Sequence, residues 1–332
     1  MQPLVTVAIP TLNRTRYLRE TLGSVLAQDY ANLDILVSDN GSVDGTHVVG
    51  PGMAHGDRRI RFRRNRATVP LVEHFNQLVA AARGAFFILL CDDDAMSPNF
   101  VSELVSIATA HPRVNVVLPR CEIVDADGNS VRMLSAPASD VLDGPELLAH
   151  WFEFREPQYF AMNGTVLFRT EVIRRFGGYP PFVRGLHSEN VPFLQCAISG
   201  PVGFARHATF KFRVHERSHS TASTARDLAT AARQFIRHLR TYPMTVDALA
   251  ALPQRQRDDI IASARRMTAQ DFLRQIEFYD ARLTMPCVRK LLAYRFDRVL
   301  YREVVLDYRR RLRTKWTLRR QRLNPSCPPS TR

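Results

Sequence analysis

Short apolar runs alternate with longer segments of helical periodicity over the first ninety residues of this chain. Runs rich in valine, isoleucine and leucine are typical of buried β-strands, whereas apolar residues three or four positions apart are typical of amphipathic helices. On these grounds we predict strands at residues 5–10, 33–38, 60–63 and 85–90, and helices at residues 16–28 and 72–82. This alternation predicts an α/β fold, with a mostly parallel sheet covered by helices on both faces.

Helix-start signals continue in the middle of the chain. Ser97 directly before Pro98 predicts one helix start, because serine caps helices and proline is tolerated in the first turn. Asp143, three residues before Glu146, predicts a second start by a capping box. This second helix is expected to end near Trp151.

The pattern changes towards the C-terminus. We expect a strand at residues 163–168 and then a short helix from Glu171 that stops at Gly177 and Gly178. Beyond about residue 226 the apolar spacing is helical only. The fold class is therefore an α/β domain followed by a C-terminal α-helical subdomain.

Composition and charge support a division of the chain. The 332 residues are 45% hydrophobic and 23% charged, which is typical of a globular protein. The net charge of +14 comes from residues 225–332, which hold 24 basic and 10 acidic residues. We predict a domain at residues 1–223 that carries the site, a basic helical subdomain at 224–322 and a disordered tail at 323–332.

Cysteine usage and the N-terminus bear on location. The five cysteines are scattered and none form a CxxC pair, which argues against a disulfide framework and a zinc site. No basic segment followed by a long apolar stretch opens the chain, and no segment has the roughly 18 apolar residues of a membrane span. We therefore expect a cytoplasmic protein.

Two acidic turns follow predicted strands. Asp92, Asp93 and Asp94 follow the fourth predicted strand, and Asp39 follows the second. Three adjacent carboxylates repel one another, so they indicate a bound cation, although a solvated acidic turn is the alternative. Because ligands of open α/β sheets bind outside the carboxyl ends of the strands, both turns should face one crevice.

These turns together predict a nucleotide-diphosphate pocket. Asp39 can accept hydrogen bonds from a base or a ribose, while a divalent cation at the acidic triplet neutralises a diphosphate. Neither a GxGxxG nor a GxxxxGK[ST] sequence occurs, which argues against a Rossmann dehydrogenase and a P-loop NTPase.

Four segments taken in order strengthen this prediction: residues 7–14, residues 38–46, the acidic triplet with the following Pro98, and residues 168–179. Together they resemble the family 2 glycosyltransferases, which have the A-type nucleotide-sugar fold, and the resemblance covers roughly residues 4–220. Members of this family transfer a sugar from a nucleotide donor with inversion, usually with Mg2+ or Mn2+. The resemblance implies a metal-dependent hexosyltransferase of cell-envelope polysaccharide biosynthesis. Its donor would be a UDP-sugar, and its acceptor a glycan, lipid-linked or small-molecule hydroxyl.

The same resemblance implies site residues. The implied donor-binding residues are Pro10, Thr11, Asn13, Arg14, Asp39 and Asp92, and the implied metal ligands are Asp93, Asp94 and His215. The register of the DXD motif stays open, because its literal form is Asp92-x-Asp94, whereas counting back from Pro98 favours Asp93 for the metal. A histidine between charged neighbours, taken alone, is more often a surface residue than a ligand.

An inverting transfer also needs a base that deprotonates the acceptor hydroxyl. The family often uses a Glu-Asp pair at the start of a helix, and the matching pair here is Glu189-Asn190. Glu189 is the predicted base, with His187 as an alternative or as the residue that orients it. A helix N-terminal carboxylate that only interacts with the helix dipole is the other interpretation of Glu189.

The arginine-rich C-terminal segment allows three interpretations. The first is an amphipathic subdomain that packs on the catalytic domain and exposes its arginines. The second is a peripheral contact with an anionic membrane, on its inner face, which would suit a lipid-linked acceptor. Nucleic-acid binding is the third and least favoured, because no known motif accompanies the charge.

Two further function classes remain as alternatives. A nucleotidyltransferase would share the sheet and the acidic turn but should have a glycine-rich basic loop after the first strand, which residues 11–14 lack. A non-catalytic nucleotide-sugar-binding protein is the other alternative, because the family's second acid is replaced by Asn190.

Overall fold

The computed structural model describes residues 2–54, 56–134, 137–150, 166–215 and 223–279, together with positions 302, 305 and 306. Ten strands within these ranges form one sheet: β1 Val5–Thr11, β2 Leu33–Asp39, β3 Ile60–Arg64, β4 Phe86–Leu89, β5 Ala95–Met96, β6 Val116–Val124, β7 Ser130–Met133, β8 Val141–Leu142, β9 Leu167–Arg169 and β10 Val202–Arg213. The helices of the described ranges are α1 Thr15–Leu26, α2 Thr46–Ala54, α3 Leu71–Ala81, α4 Phe100–Ala110, α5 Gly144–Ala149, α6 Thr170–Arg175, α7 Asn190–Ile198, α8 Ala225–Thr241, α9 Pro243–Ala250 and α10 Gln254–Tyr279.

The sheet has the order β3-β2-β1-β4-β9-β6-β10-β5, with β7 paired to β6 and β8 to β10. Strands β3, β2, β1 and β4 are parallel to one another, and β6 is parallel to β10. Strand β9 lies antiparallel between β4 and β6 and joins these two parallel sections. The predicted α/β class with a mostly parallel sheet is thus confirmed. Of the strand predicted at 163–168, residues 163–165 lie outside the described part.

Helices cover both faces of the sheet because the strands are apolar on both faces. Alternate residues of β1 belong to different core clusters: Val7 packs on one face and Ala8 on the other. The Val7 cluster contains the apolar residues of α1 and α4, and the Ala8 cluster contains those of α3, α7 and α8. Their burial stabilises the sheet from both sides, at about 25 cal/mol for each Å² of apolar surface.

The structure corrects one predicted helix start. Ser97 does not cap α4, because that helix begins at Phe100 after Asn99. The Ser97 hydroxyl instead donates to Asn99 Oδ1 at 2.7 Å and accepts from the Thr209 N–H at 3.0 Å. This serine is therefore used to hold β10 beside β5, and such a long-range partner cannot be inferred from local sequence.

The other helix boundaries agree more closely with the sequence. Asp143 caps α5 by accepting from the Glu146 N–H at 2.9 Å, but α5 ends at Ala149, and Trp151 lies outside the described residues. Helix α6 ends just before Gly177 and Gly178, which both have positive φ. Helix α2 was not predicted, because its glycines and Pro51 are turn-forming residues.

The C-terminal helices pack on the α/β part. Thr224 and Asp227 form a capping box at the start of α8, near the predicted boundary. Leu228, Phe235 and Leu239 of α8 belong to the same apolar cluster as α3 and α7. This agrees with the interpretation of the subdomain as an amphipathic unit that packs on the catalytic domain. The division of the chain at residue 224 stays a prediction. The arginine-rich stretch 308–320 and the tail 323–332 lie outside the described residues.

Two further expectations concern cysteines and membrane spans. Cys91, Cys121 and Cys196 are free thiols, and the other two cysteines lie outside the described ranges. Among the helices that the structure describes, none combines the length and the apolar character needed to cross a bilayer.

Candidate functional site

The ends of three neighbouring strands bring the two acidic turns together. Strand β1 lies between β2 and β4 and is parallel to both. Thr11, at the end of β1, is in register with Asp39, and the Asn40 N–H donates to the Thr11 carbonyl at 2.9 Å. On the other side, the Leu90 N–H donates to the carbonyl of Ala8 at 2.9 Å, and the acidic triplet follows directly. Both turns therefore leave the sheet at the same edge, on either side of β1.

The acidic triplet is buried and held from several elements. The Thr21 hydroxyl of α1 donates to the Asp94 carbonyl at 2.7 Å. Arg213, at the end of β10, donates its backbone N–H to Asp94 Oδ1 at 2.9 Å and its Nε to the Asp93 carbonyl at 2.9 Å. The turn is thus fixed by α1 and by a strand more than a hundred residues later in the chain.

Two basic side chains contact the carboxylates of the turn. Arg14 forms ion pairs with Asp93 and, at 3.3 Å, with Asp92. His215 is buried and lies with Nε2 at 3.0 Å from Asp93 Oδ2, and its ring is 4.9 Å from the ring of Tyr17. Asp93 is therefore the carboxylate at which the predicted metal histidine and a predicted donor arginine meet.

Burial raises the pKa values of the three carboxyl groups, and only Asp93 has basic partners that reverse this effect. Burial, followed by the charge of Asp93, raises the pKa of Asp92 to about 7. Burial, followed by the same charge, raises the pKa of Asp94 well above its usual range. Burial opposes ionisation of Asp93 as well, but the hydrogen bond with His215 and the charge of Arg14 lower its pKa. The turn therefore holds more carboxyl groups than its own cations neutralise, which is the electrostatic condition for a divalent ion.

The donor atoms at the turn fit a hard divalent cation. Ligand atoms of Cys91, Asp93 and Asp94 lie within 4.8 Å of one another. Asp92 Oδ2 is buried without a well-formed hydrogen bond from any residue of the described ranges, although the Thr11 hydroxyl lies beside it. Mg2+ and Mn2+ prefer carboxylate oxygens. Burial and the neighbouring carboxylates raise the pKa of the Cys91 thiol well above its ordinary value, so the oxygens are the better ligands at neutral pH.

The two carboxylate oxygens of Asp39 differ, because one accepts a hydrogen bond within the described part of the chain and the other does not. Its Oδ1 accepts from the Ser42 N–H at 2.8 Å, which shapes the turn after β2. Its Oδ2 is buried, accepts no hydrogen bond from the described part of the chain and lies 3.5 Å from Arg64 Nε. A buried acceptor without a hydrogen bond costs about 1–3 kcal/mol, so a donor N–H or hydroxyl from a ligand would be favourable there.

Two other predicted donor residues have structural contacts. Asn13 has a φ of 55°, donates its N–H to Ser42 Oγ at 2.8 Å and accepts from the Val43 N–H at 2.8 Å. It therefore joins the loop after β1 to the turn after β2. Pro10 is buried within β1, opposite Ser38.

The predicted base lies at the start of α7. Glu189 is the half-buried N-cap residue of that helix. His187 is buried, has a φ of 63°, lies with Nδ1 at 3.3 Å from Asn190 Nδ2 and stacks on the ring of Phe235 at 6.0 Å. A positive φ at a residue other than glycine costs of order 1–3 kcal/mol and is found mostly where a site requires it.

Tyr179 connects this loop to the acidic turn. Its hydroxyl is buried, and its pKa is raised well above the ordinary value by burial first and then by the charges of Cys91 and Glu189. Glu189 and Cys91, the residue before the acidic triplet, both lie close enough to Tyr179 to affect its hydroxyl.

Sequence reasoning gave no role to Arg213, Glu20 or Tyr17. Arg213 Nη2 donates to Glu20 at 2.7 Å, and its guanidinium lies 5.4 Å from the ring centre of Tyr17. The available signal was the spacing of Arg213 and His215, which places both side chains on the same side of an extended segment.

A family model described as "Glycosyl transferase family 2" matches residues 6–177. A curated relative, an uncharacterised glycosyltransferase of Rickettsia felis, is 28% identical over 133 residues, which are 40% of this chain and 22% of that protein. The putative glycosyltransferase EpsE of Bacillus subtilis is 25% identical over 191 residues, covering 57% of this chain and 64% of EpsE. The matches thus span about a fifth of the first of these relatives and less than two thirds of the second.

Two solved structures share the fold. The structure of Staphylococcus aureus TarS 1–349 in complex with UDP-GlcNAc has a TM-score of 0.55 at 16% identity and covers 92% of each chain. The mannosyltransferase PcManGT from Pyrobaculum calidifontis, in complex with GDP-Man and Mn2+, has a TM-score of 0.50 at 16% identity, over 92% of this chain and 86% of PcManGT. At this level of identity the likeness concerns the fold alone.

Proposed function

Because this chain belongs to glycosyl transferase family 2, as its sequence motifs predicted, we propose that it transfers a sugar with inversion from a nucleotide-diphosphate donor to a hydroxyl acceptor. The observation that carries this proposal is the position of Asp39 and the acidic triplet on the two sides of β1. In open α/β sheets this edge is where nucleotides bind.

The donor would lie across the ends of β1 and β2. Asp39 Oδ2 would accept a hydrogen bond from the base, and Thr11 would contact the nucleoside, while Asp92 would lie nearer the ribose. We propose a UDP-sugar. TarS and PcManGT were solved with UDP-GlcNAc and GDP-Man, so fold neighbours accept nucleotide sugars of more than one kind.

Asp93, Asp94 and His215 would hold a Mg2+ or Mn2+ ion. Such an ion, when bound, neutralises the charge that develops on the departing diphosphate. Arg14 contacts Asp92 and Asp93 at the same turn, and its guanidinium would bind the diphosphate oxygens. The structure of PcManGT with Mn2+ supports a divalent ion in this fold.

Glu189 would accept the proton of the acceptor hydroxyl as that oxygen attacks the anomeric carbon. His187 would orient this loop through its contacts with Asn190 and Phe235, and is the alternative base. The acceptor is proposed to be a glycan or a lipid-linked saccharide of the cell envelope. In that case the protein would act in the cytoplasm, with its basic C-terminal residues near an anionic membrane surface.

Thermal denaturation of the full chain with UDP-GlcNAc, UDP-glucose and GDP-mannose, each with and without Mn2+, tests the donor proposal. A ligand present at a hundredfold excess over its Kd stabilises the folded state by about 2.7 kcal/mol, so a rise in Tm that requires Mn2+ is expected for one donor. Asp93→Asn should abolish that rise. The control Asp127→Asn should keep it, because the Asp127 side chain is exposed and forms an ion pair, at 3.8 Å, with the likewise exposed Arg16. If no nucleotide sugar raises the Tm, or if Asp93→Asn behaves as Asp127→Asn does, the proposal is wrong.

Transfer itself is tested with Glu189→Gln. Loss of a general base lowers the rate by about 10²–10⁴, while donor binding should persist. Release of UDP from the donor, in the presence of extracted cell-envelope saccharides, measures this rate. An unchanged rate with normal donor binding would exclude Glu189 as the base and favour His187, whereas donor binding without transfer in both proteins would favour the non-catalytic alternative.

A further inference from the structure

A cavity of about 450 Å3 opens between helix α8 and the loop that leads to the predicted base. Its volume lies within the range of about 300–1,000 Å3 that small-molecule sites occupy. One wall is a strip of α8 together with the residue that follows this helix: Gln234, Arg237, His238 and Thr241, then Tyr242. The other wall is the loop 176–182, with Asn76 of α3 at its base.

Two glycines shape the loop wall. Gly177 and Gly178 have φ values of 86° and 73°, which glycine adopts most readily. A Cβ atom on Gly177 would lie 2.7 Å from the Tyr242 hydroxyl, and one on Gly178 would lie 2.4 Å from Asn76 Oδ1. Asn76 also accepts from the Tyr179 N–H at 2.9 Å and donates to its carbonyl at 2.8 Å. The cavity is therefore pre-formed by tight local packing.

The lining combines aromatic rings with hydrogen-bonding groups. His238 and Tyr242 stack with ring centres 4.4 Å apart, and Phe182 contacts His238 edge-on at 5.7 Å. These three side chains are half-buried, and Arg237 and Thr241 are exposed beside them. Such rings present apolar surface together with polar groups.

This chemistry selects among ligand classes. Among the lining residues that the structure describes there is no carboxylate, which argues against a metal ion, and a single arginine, which argues against a diphosphate. A purely aliphatic ligand would make no use of the polar groups of Gln234, Arg237 and Thr241 and would displace water from them. A saccharide has apolar C–H faces that stack on aromatic rings and a rim of hydroxyls that pair with polar side chains, so it matches both parts of the lining.

The cavity is continuous with the loop that carries the predicted base. The Ser188 hydroxyl donates to the Pro180 carbonyl at 2.7 Å, which folds the loop back on itself beside the cavity. The Val183 N–H donates to Gln234 Oε1 at 2.8 Å. The next residue of α8, Phe235, is the ring on which His187 stacks. Gln234, which lines the cavity, and Phe235, which His187 contacts, are thus neighbours on α8, and His187 lies two residues before the predicted base.

We infer that this cavity binds the acceptor saccharide and holds sugar units beyond the one that carries the reacting hydroxyl. The inference rests on the proposed function, because it assigns the second substrate of the same reaction. Its test therefore measures saccharide binding without a donor.

The experiment applies the labelled full chain to an array of immobilised short oligosaccharides. Thr241→Trp fills the cavity from its exposed edge, and Arg237→Ala removes the arginine found among its described lining residues. The matched control is Arg240→Trp, which adds the same ring to an exposed position of α8 outside the cavity. Nucleotide-sugar binding is measured on the same proteins by thermal shift.

We expect the wild-type protein and Arg240→Trp to bind the same saccharides. Thr241→Trp should weaken that binding at least about tenfold, equivalent to 1.4 kcal/mol, and Arg237→Ala should weaken it in the same direction. Nucleotide-sugar binding should be equal in all four proteins. The inference is overturned if no saccharide binds to a protein that still binds nucleotide sugars, or if the two tryptophan variants bind saccharides equally. Saccharide binding that depends on the cavity, in a protein that binds no nucleotide sugar, would support the inference and refute the donor proposal.

Discussion

Arg213 offers a sharp test of how the acidic turn is held. Its side chain is 7% exposed, and it donates to Glu20 at 2.7 Å, to the Asp93 carbonyl at 2.9 Å and to the Ala126 carbonyl at 3.0 Å. Arg213→Met keeps the length and apolar stem of the side chain but removes all three donors. Glu20, whose side chain is 45% exposed, regains water, whereas the two carbonyls lose a charged partner.

The magnitude follows from these partners. Hydrogen bonds that involve a charged group contribute about 1.5–3 kcal/mol each, so the loss of two at backbone carbonyls should destabilise the protein by about 3–6 kcal/mol. Glu20→Gln changes the same ion pair from its exposed side, and a solvent-exposed pair contributes about 0.2–1 kcal/mol. We therefore predict a large cost for Arg213→Met and a small one for Glu20→Gln.

Urea unfolding followed by circular dichroism measures both changes as differences in the free energy of unfolding. The reasoning is refuted if Arg213→Met lowers the free energy of unfolding by less than about 1 kcal/mol. It is also refuted if Glu20→Gln costs as much as Arg213→Met, because the ion pair would then contribute more than the carbonyl contacts.

Other predictions concern pH and the backbone. Burial, followed by the charge of Arg63, lowers the pKa of His74 from 6.5 to about 4. The stabilisation that neutral His74 provides is therefore complete above pH 6.5, and about 3 kcal/mol of it is lost as the pH falls towards 4. Urea unfolding at successive pH values measures this loss as a slope of the free energy of unfolding against pH. His74→Gln should flatten that slope. An identical slope in the variant would contradict the assignment of this pH dependence to His74. Gly178→Ala should destabilise the protein by about 1–3 kcal/mol, because its φ is 73° and the added carbon meets Asn76. Gly23→Ala in α1, where nothing lies within 4 Å, should instead stabilise it by about 0.5–1 kcal/mol, and equal melting temperatures for both variants would contradict this.

The parts of the fold that depend on local pattern were predictable from the sequence. Strands β1, β2 and β4 are short buried runs rich in apolar residues, and the acidic residues at the ends of β2 and β4 reach one edge because parallel strands share a direction. Helix α2 was missed because Pro51 and its neighbouring glycines are typical of turns. Ser97 was given the wrong role because its partner, Thr209, lies more than a hundred residues away.

The contacts of the site that join distant segments were beyond sequence reasoning. Arg213 reaches Glu20 across 193 positions of the chain, and no local spacing indicates that pair. The cavity beside α8 likewise requires the packing of Tyr242 against Gly177, which depends on how the C-terminal helices pack on the α/β part. The roles of Asp93, His215 and Glu189 stay predictions, because they concern ligands.

The most direct test of the central claim is a crystal structure of the protein soaked with UDP and Mn2+, with anomalous scattering used to locate the metal. The account predicts one anomalous peak about 2.0–2.6 Å from a carboxylate oxygen of Asp93, with the uracil beside Asp39 and the diphosphate between them. A peak elsewhere, no peak with UDP bound, or a uracil away from Asp39 would contradict it.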